Sequence, residues 1–394
     1  MRPDDFAAAQ RPHVVRADGG YWAYLPPSLP PAITFDVGLV GRLSAADRAL
    51  GLLSGTGRTL PNPHLLSRSL LRREAVLSSR IEGTRASLSD LVLFEAEQSR
   101  ADDRGDVREV FNYVSAVEFV LDPDRRLPLS LPLLRAAHRI LLTGVRGDYA
   151  TPGDFRRSQN WIGSPGCTLD EATYVPPPPE RMWECLDPLE KFLHTDRALP
   201  PLIAIACLHY QFEAAHPFVD GNGRVGRLLV TLLMVDWGLL SDPLLDLSAY
   251  IEPRRDEYYE RLLAVSTKGD WIGWIGFFLT AVERQAADAV ARALRLQLLR
   301  DEFRSRVATA RSSGLLGLLV DALFDTPAIT IPRAAKLLGV THRAARLNID
   351  KLVEAAILTE VGNRARNKLF LAGDVLDAVE GRSPAATSRD RERV

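Results

Sequence analysis

The 394-residue chain carries 49 Lys or Arg against 50 Asp or Glu, a formal net charge of −1, so overall charge draws it to neither nucleic acid nor a membrane surface. Its three cysteines, Cys167, Cys185 and Cys207, fit neither C-x-x-C nor a Cys/His zinc spacing, which argues against a disulfide framework and for a reduced, cytoplasmic setting. The longest apolar run, residues 228–235, falls far short of a membrane span, and no membrane association is expected.

Residues 1–40 are rich in Pro and Gly, with Pro26, Pro27, Pro30 and Pro31 close together, and read as an irregular surface arm. Helices are expected over residues 45–53 and 63–81, the second with Leu65, Leu66, Leu70, Leu71, Val76 and Leu77 on its apolar face. That helix runs into Ser78-Ser79-Arg80-Ile81-Glu82-Gly83, where Gly83 is a natural helix stop. Glu82 then sits in the last turn, where a carboxylate opposes the helix dipole. Local helix stability does not explain it, whereas a cationic partner elsewhere in the chain would.

Further helices are expected over residues 85–99, with Ser87 or Ser89 as N-cap, and over residues 109–121 and 131–142, the last preceded by Ser130. Two short extended pieces follow, Asn160, Trp161, Ile162 and Gly163, then Ala172, Thr173, Tyr174 and Val175, around a loop holding Pro165 and Gly166. They read as a β-hairpin whose exposed edge can accept an extended peptide as a further strand. A stiff exit at residues 176–179 and a helix over residues 182–194 lead to the most informative stretch.

Residues 216–227 read His-Pro-Phe-Val-Asp-Gly-Asn-Gly-Arg-Val-Gly-Arg. Gly221, Gly223 and Gly226 satisfy the G-x-G-x-x-G spacing of dinucleotide sites, but that fingerprint needs a strand before it. Here Leu202, Ile205, Leu208, His209 and Phe212 recur at helical period, and the nearly continuous apolar run from Val225 to Trp237 is too long for a strand. The loop therefore joins two helices. The N–H groups of Gly221, Asn222 and Gly223 lie at a helix N-terminus, where a phosphate is favoured. Arg224 and Arg227 lie three apart on one side of the second helix and can grip further phosphate oxygens. Asp220 suits a Mg²⁺ sharing those oxygens, and His216 suits a general base.

Beyond the loop, Tyr258 lies in a segment preceding a long helix over residues 270–312, whose apolar face holds Ile272, Ile275, Phe278, Leu279 and Val282. Residues 315–380 read as a separate unit: helix, Gly-containing turn and helix, the second capped by Thr341, then strands at 358–361 and 369–371 with Arg364, Arg366 and Lys368 at the tip between them. Between residues 331 and 370 eight Lys or Arg face three Asp or Glu, a net of +5, which favours a winged helix-turn-helix able to contact duplex DNA. Such units also serve as dimerisation or docking modules, so a second copy of the chain is a further candidate partner.

The 216–227 loop closely resembles the signature of the Fic (Fic/DOC) family, H-P-F-x-D-G-N-G-R-x-x-R, with no departure at a defining position. The resemblance implies that His216 deprotonates a target hydroxyl, Asp220 holds Mg²⁺, and Asn222 helps form the anion hole. Gly221, Gly223, Arg224, Val225, Gly226 and Arg227 would hold the phosphates of ATP. The stretch Ser78, Glu82, Gly83 resembles the family's inhibitory motif, in which the glutamate pairs with the second motif arginine, here Arg227. The hairpin of Asn160–Gly163 and Ala172–Tyr174 resembles the flap that holds a target segment over His216. Tyr258 resembles a family Tyr near the adenine, with a buried core tyrosine as an equal reading; eight residues on, where relatives often carry Asn, stands Ser266.

The expected architecture is mainly α: an arm and helical segment carrying the inhibitory motif at 1–110, a Fic core with a flap at 111–285, a connector helix at 286–314, a winged helix at 315–380 and a disordered tail at 381–394. The resemblance implies transfer of AMP from ATP to a Ser, Thr or Tyr hydroxyl of a protein, itself included, under restraint by Glu82. It also admits removal of AMP, other nucleotide or phosphocholine donors, and, as a different class, a DNA-binding regulator whose Fic core only senses a ligand. An intact His216 weighs against the last, because a sensor needs no base.

Overall fold

The computed structural model describes residues 1–59, 63–97, 105–147, 149–195, 199–308, 314–362 and 368–382, and the side chains of Thr59 and of residues 63–66 lie outside that description. The first 36 residues hold a short antiparallel hairpin, β1 (Val14–Arg16) and β2 (Trp22–Tyr24), so the arm is less irregular than its prolines suggest. It braces the later flap: Tyr24 N–H donates to Val175 O at 2.9 Å, and the Tyr21 hydroxyl to Gln159 Oε1 at 3.0 Å.

Helices α1 (Val37–Thr59), α2 (Pro63–Ile81), α3 (Leu88–Glu97), α4 (Gly105–Leu121), α5 (Leu131–Leu142), α6 (Trp183–His194), α7 (Pro201–Ala215), α8 (Asn222–Asp236), α9 (Ser248–Ile251), α10 (Arg255–Lys268) and α11 (Trp271–Val307) follow. Their local causes are visible. Ser130 caps α5 by accepting from Leu133 N at 3.4 Å, Asp270 caps α11 by accepting from Gly273 N at 2.9 Å, and Ser87 accepts from Asp90 N at 3.1 Å, which decides between the two serines offered as the α3 cap. The α7 helix is apolar on nearly every side, with Leu202, Ile203, Ile205, Ala206 and Leu208 at most 1% exposed, and such a helix belongs at the centre of a bundle. It packs against α1, α6, α8, α10 and α11, so its C-terminus is held from several directions at the point where the loop begins.

Two boundaries and the flap differ from expectation. The line at residue 110 cuts through α4, and the line at residue 285 cuts through α11, which runs unbroken from Trp271 to Val307. The second half of α11 is no bare connector, because Ala286, Ala289, Ala293 and Leu296 are buried. The flap has no strand ladder: Ile162 and Tyr174 form a single antiparallel bridge, with a short 3₁₀ turn at Leu169–Glu171 beside it.

The C-terminal unit comprises α12 (Gly314–Asp325), β3 (Ala328–Thr330), α13 (Ile331–Leu338), α14 (His342–Glu354), β4 (Thr359–Val361), β5 (Leu369–Leu371) and α15 (Gly373–Glu380), its antiparallel sheet ordered β3-β5-β4. Gly339 at φ 63° makes the turn between α13 and α14, and Thr341 caps α14 by accepting from Ala344 N at 3.3 Å. The strand β3 was not expected from sequence; it pairs with β5 along Ala328–Leu371, Ile329–Phe370 and Thr330–Leu369. Arg364, Arg366 and the tail beyond Arg382 lie outside the described residues, while Lys368 pairs with Glu360 at 2.8 Å.

This unit is docked on the helical bundle. Ser69 Oγ donates to Phe324 O at 3.1 Å, Arg72 Nη1 to Asp325 O at 2.6 Å, and Arg292 on α11 to Val379 O. The α2 helix is therefore tied to the C-terminal unit through Ser69 and Arg72 and, at its end, to Arg227 through Ser78 and Glu82.

Candidate active site

His216 ends α7 with a left-handed backbone, φ 46° and ψ 57°, a conformation that a residue with a β-carbon holds only where its surroundings enforce it. Arg156 and Asn160 supply that enforcement. Arg156 is 3% exposed; its Nε donates to His216 O at 2.9 Å and its Nη2 to Pro177 O at 2.5 Å, while its N–H donates to Pro217 O at 2.9 Å. Asn160 Nδ2 donates to Phe218 O at 2.8 Å. The Phe218 ring stacks on His138 at 3.8 Å between centroids, and His138 accepts from Gly153 N on Nδ1 (2.8 Å) and donates from Nε2 to Asp220 O (2.9 Å). Burial pushes the His138 imidazole down to about 4, so it is neutral and its tautomer is set by those two partners.

Within the loop, Asn222 braces rather than reaches out: its Oδ1 accepts from Phe218 N and its Nδ2 donates to Phe218 O, both at 2.8 Å. The Gly221 N–H, expected to be an open donor, is taken by Asp220 Oδ1 at 2.6 Å. Asn222 and Gly223 open α8, so their N–H groups have no partner within the helix.

The geometry around the loop centres on three groups. His216 Nδ1 donates to Glu213 O at 3.2 Å, which leaves Nε2 as the unprotonated nitrogen, and burial pushes the imidazole down to about 4. Arg227, 3% exposed, donates from Nε to Ser78 Oγ at 2.8 Å and from Nη2 to Ser78 O at 3.0 Å and Glu82 Oε1 at 2.6 Å. Its Nη1 has no hydrogen-bond partner among the described residues. Burial alone would raise the Glu82 carboxyl, but the Arg227 charge outweighs it and holds that carboxyl below its ordinary range. Gly223 fits beneath this pair because a β-carbon there would collide with the Glu82 carboxylate and Arg227 Nη1. Gly83 follows at φ 95° and turns the chain away.

Glu82, His216, Gly223 and Arg227 line one cavity of about 480 Å³, together with the flap residues Trp161, Ile162, Gly163, Thr173 and Tyr174. Ala172 is not part of that wall; it packs with Ala23 and Val175 under the hairpin of the N-terminal arm. Of the two motif arginines only Arg227 opens on the cavity. Arg224 is withdrawn at 3% exposure, with Nη1 at 3.4 Å from Glu109 Oε2 and Nη2 at 3.7 Å from Asp220 Oδ1. Val225 is in the core at 0% exposure, and the Gly226 carbonyl accepts from His209 Nδ1 at 3.0 Å.

Comparison with known proteins agrees with this geometry. A family model described as Fic/DOC family N-terminal matches residues 40–122, and one described as Fic/DOC family matches residues 128–234. Residues 128–234 carry a Fic/DOC family domain. A Drosophila grimshawi protein named protein adenylyltransferase Fic is 28% identical over 162 residues, which is 41% of this chain and 30% of that protein, and the Drosophila virilis protein of the same name is 29% identical over the same length. The matched stretch thus spans about a third of these relatives. In fold, the chain resembles a Fic family protein from Desulfovibrio desulfuricans, with a TM-score of 0.57 at 20% identity over 87% of this chain and 98% of that one. It also resembles Fic-1 from C. elegans, with a TM-score of 0.52 at 21% identity over 66% and 74%.

The structure decides between the two readings of one tyrosine. Tyr258 is 1% exposed, and its hydroxyl pairs with His209 Nε2 at 2.8 Å, so it is a core residue. Its neighbour Tyr259 lines the cavity, as does Ser266, whose hydroxyl pairs with that of Tyr210 at 2.8 Å. On a helix one residue is a turn of about 100°, which moves a side chain from the cavity wall into the core. Four residues of this site were not singled out as functional from sequence: Glu109, which meets Arg224 and accepts from Thr84 Oγ1 at 3.1 Å; Arg156; His138; and Glu213. Each sits in an otherwise ordinary helix or turn, and only a count of polar groups on the buried faces would have raised Glu109, His138 and Glu213.

Proposed function

We propose that this chain is a protein adenylyltransferase, moving AMP from ATP to a Ser, Thr or Tyr hydroxyl of a protein, itself included, and that Glu82 restrains it. The observation that carries this reading is one cavity holding both an imidazole with an unprotonated Nε2 and an arginine whose Nη1 is buried without a partner among the described residues. The first suits a base and the second an anion. The target oxygen attacks the α-phosphorus, the bond from that phosphorus to the bridging oxygen of the β-phosphate breaks, pyrophosphate leaves, and the hydroxyl proton passes to His216 Nε2. The names of the fly relatives support adenylyl transfer at the level of the family.

Asp220 suits a metal shared with phosphate. Its side chain is 40% exposed, and no group of three or more His, Cys, Asp or Glu among the described residues could hold an ion alone. Mg²⁺ bound by one carboxylate takes its remaining ligands from phosphate and water. When bound it would neutralise phosphate charge. Incubation with α-labelled ATP and Mg²⁺, followed by mass spectrometry of the chain and of lysate proteins, tests the reading, with AMP on a hydroxyl side chain as the expected result. Asp220→Ala is expected to abolish the dependence on added Mg²⁺ along with most of the transfer; full activity with an unchanged Mg²⁺ requirement would count against its role as ligand. No helix among the described residues is long and apolar enough to cross a membrane.

A second partner is favoured by α14, whose exposed residues include Arg343, Arg346 and Lys351. Docked in a major groove, such a face would bind duplex DNA through phosphate contacts. The full chain is then expected to bind duplex DNA with an affinity that falls steeply as salt rises, roughly one counterion per contact. A titration at low salt that shows no binding would reassign this unit to docking or pairing of copies.

A further inference from the structure

Among the wall groups that the mechanism above leaves unused, Glu213 stands out. Glu213 lies on α7 one helical turn before His216, and its Oε1 is buried with no hydrogen-bond partner among the described residues. A buried polar atom left unpaired costs about 1–3 kcal/mol, so a purely structural position would be better served by an apolar side chain. This Oε1 lies against Gly226, where a β-carbon would collide with it, so it is the rest of the carboxyl that lines the cavity.

Its place along the cavity is informative. Tyr210, Glu213 and His216 succeed one another along α7 at three-residue intervals, a rise of about 9 Å from first to last. At the Tyr210 end the cavity is walled by Ser266, whose hydroxyl pairs with that of Tyr210, and by Leu263; the start of α8 contributes Gly223 and Arg227 to the wall, with Tyr259 near Arg227. A nucleotide whose phosphates lie at the start of α8 and whose base occupies the Tyr210 end must place its sugar between them, opposite Glu213.

We propose that Glu213 reads the ribose of the bound nucleotide, its carboxyl hydrogen-bonding the 2′- or 3′-hydroxyl, and so selects ribonucleotides over deoxyribonucleotides. This rests on the reading of the cavity as a nucleotide site. Acids are suited to sugar hydroxyls, which both donate and accept. Burial pushes the Glu213 carboxyl up to about 8, against the opposing charge of Arg227, so near neutrality it keeps its proton. A neutral acid offers one donor and one acceptor to the sugar and adds no repulsion toward the triphosphate.

The test is calorimetric titration of the full chain with ATP, 2′-deoxyATP and 3′-deoxyATP in the presence of Mg²⁺. Wild type is expected to bind ATP about tenfold tighter than at least one deoxy analogue, the size of one hydrogen bond with its partner left unpaired. Glu213→Met, which fills the space without hydrogen bonding, is expected to bring that ratio close to one, with Glu213→Ala as the smaller substitution if the thioether does not pack. Glu213→Gln keeps a donor and an acceptor and is expected to retain most of the discrimination. A wild type that binds ATP and both analogues equally, or a Met or Ala variant that keeps the tenfold ratio, would overturn the assignment while leaving the nucleotide site intact. Failure of wild type and of Glu82→Gly to bind any of the three would overturn the nucleotide reading itself, and this inference with it.

Discussion

Glu82→Gly is expected to raise transfer of label from α-labelled ATP by roughly 5- to 150-fold, the range of an intramolecular coupling between two sites. In the structure the Glu82 carboxylate occupies Arg227 Nη2 at 2.6 Å, beside the N-terminus of α8. While that contact stands, the arginine has only Nη1 to offer the outer phosphates, and the carboxylate adds repulsion where a γ-phosphate would lie. ATP then binds with its α-phosphate poorly aligned for in-line attack, so the variant should change rate far more than affinity. Arg227→Ala should not mimic it, because it removes the phosphate grip together with the lock, and the double variant should behave as Arg227→Ala alone. The pH behaviour follows from the sign of the shift. A carboxyl held below its ordinary value of 4.5 keeps its pairing above that value and loses it only as pH falls through the depressed one. The ratio of Glu82→Gly to wild type should therefore be constant from about pH 6 to 8. Equal labelling by the two forms would show that Glu82 is not a brake, and lower turnover in the variant would favour removal of AMP.

His216→Ala is expected to lower AMP transfer by roughly 10²- to 10⁴-fold while leaving ATP affinity nearly unchanged, because the imidazole acts on the attacking hydroxyl and not on the triphosphate. The nitrogen that would accept the proton is Nε2, since Nδ1 is engaged with Glu213 O. With its pKa pushed down to about 4 by burial, the imidazole is an unprotonated base throughout the neutral range. The acid limb of the pH–rate profile should then lie well below the ordinary histidine value of 6.5. An unchanged rate in the variant would remove the base assignment, and a limb near 6.5 would mean that the imidazole is solvated when nucleotide is bound.

How much of this was legible beforehand differs from element to element. The 216–227 loop could be read because its acid, base, glycines and arginines are contiguous, so their chemistry survives without knowledge of the fold. The α5 helix was legible to the residue, because Ser130 and the apolar spacing mark its limits locally. The flap was overread: extended pieces rich in apolar residues suggested a ladder, but only Ile162 and Tyr174 pair, and the hairpin that supports them comes from β1 and β2, about 140 residues earlier in the chain.

What the sequence determined by itself is the identity of the reactive groups and the helix–loop–helix that carries them, since both depend on residues adjacent in the chain. The pairing of Glu82 with Arg227, 145 residues apart, is suggested locally only by a carboxylate at the wrong end of a helix dipole; the packing of α2 across the start of α8 is what brings the two charges together. Tertiary structure alone also decided that Tyr259 and not Tyr258 faces the cavity, that Arg224 is held by Glu109, and that α2 is tied to the C-terminal unit through Phe324 and Asp325. Periodicity tells which face of a helix is apolar, but a helix buried on several faces has no single inward side. Which of its residues meet the cavity, and which unpaired polar groups they leave there, is settled by the neighbours that close around it.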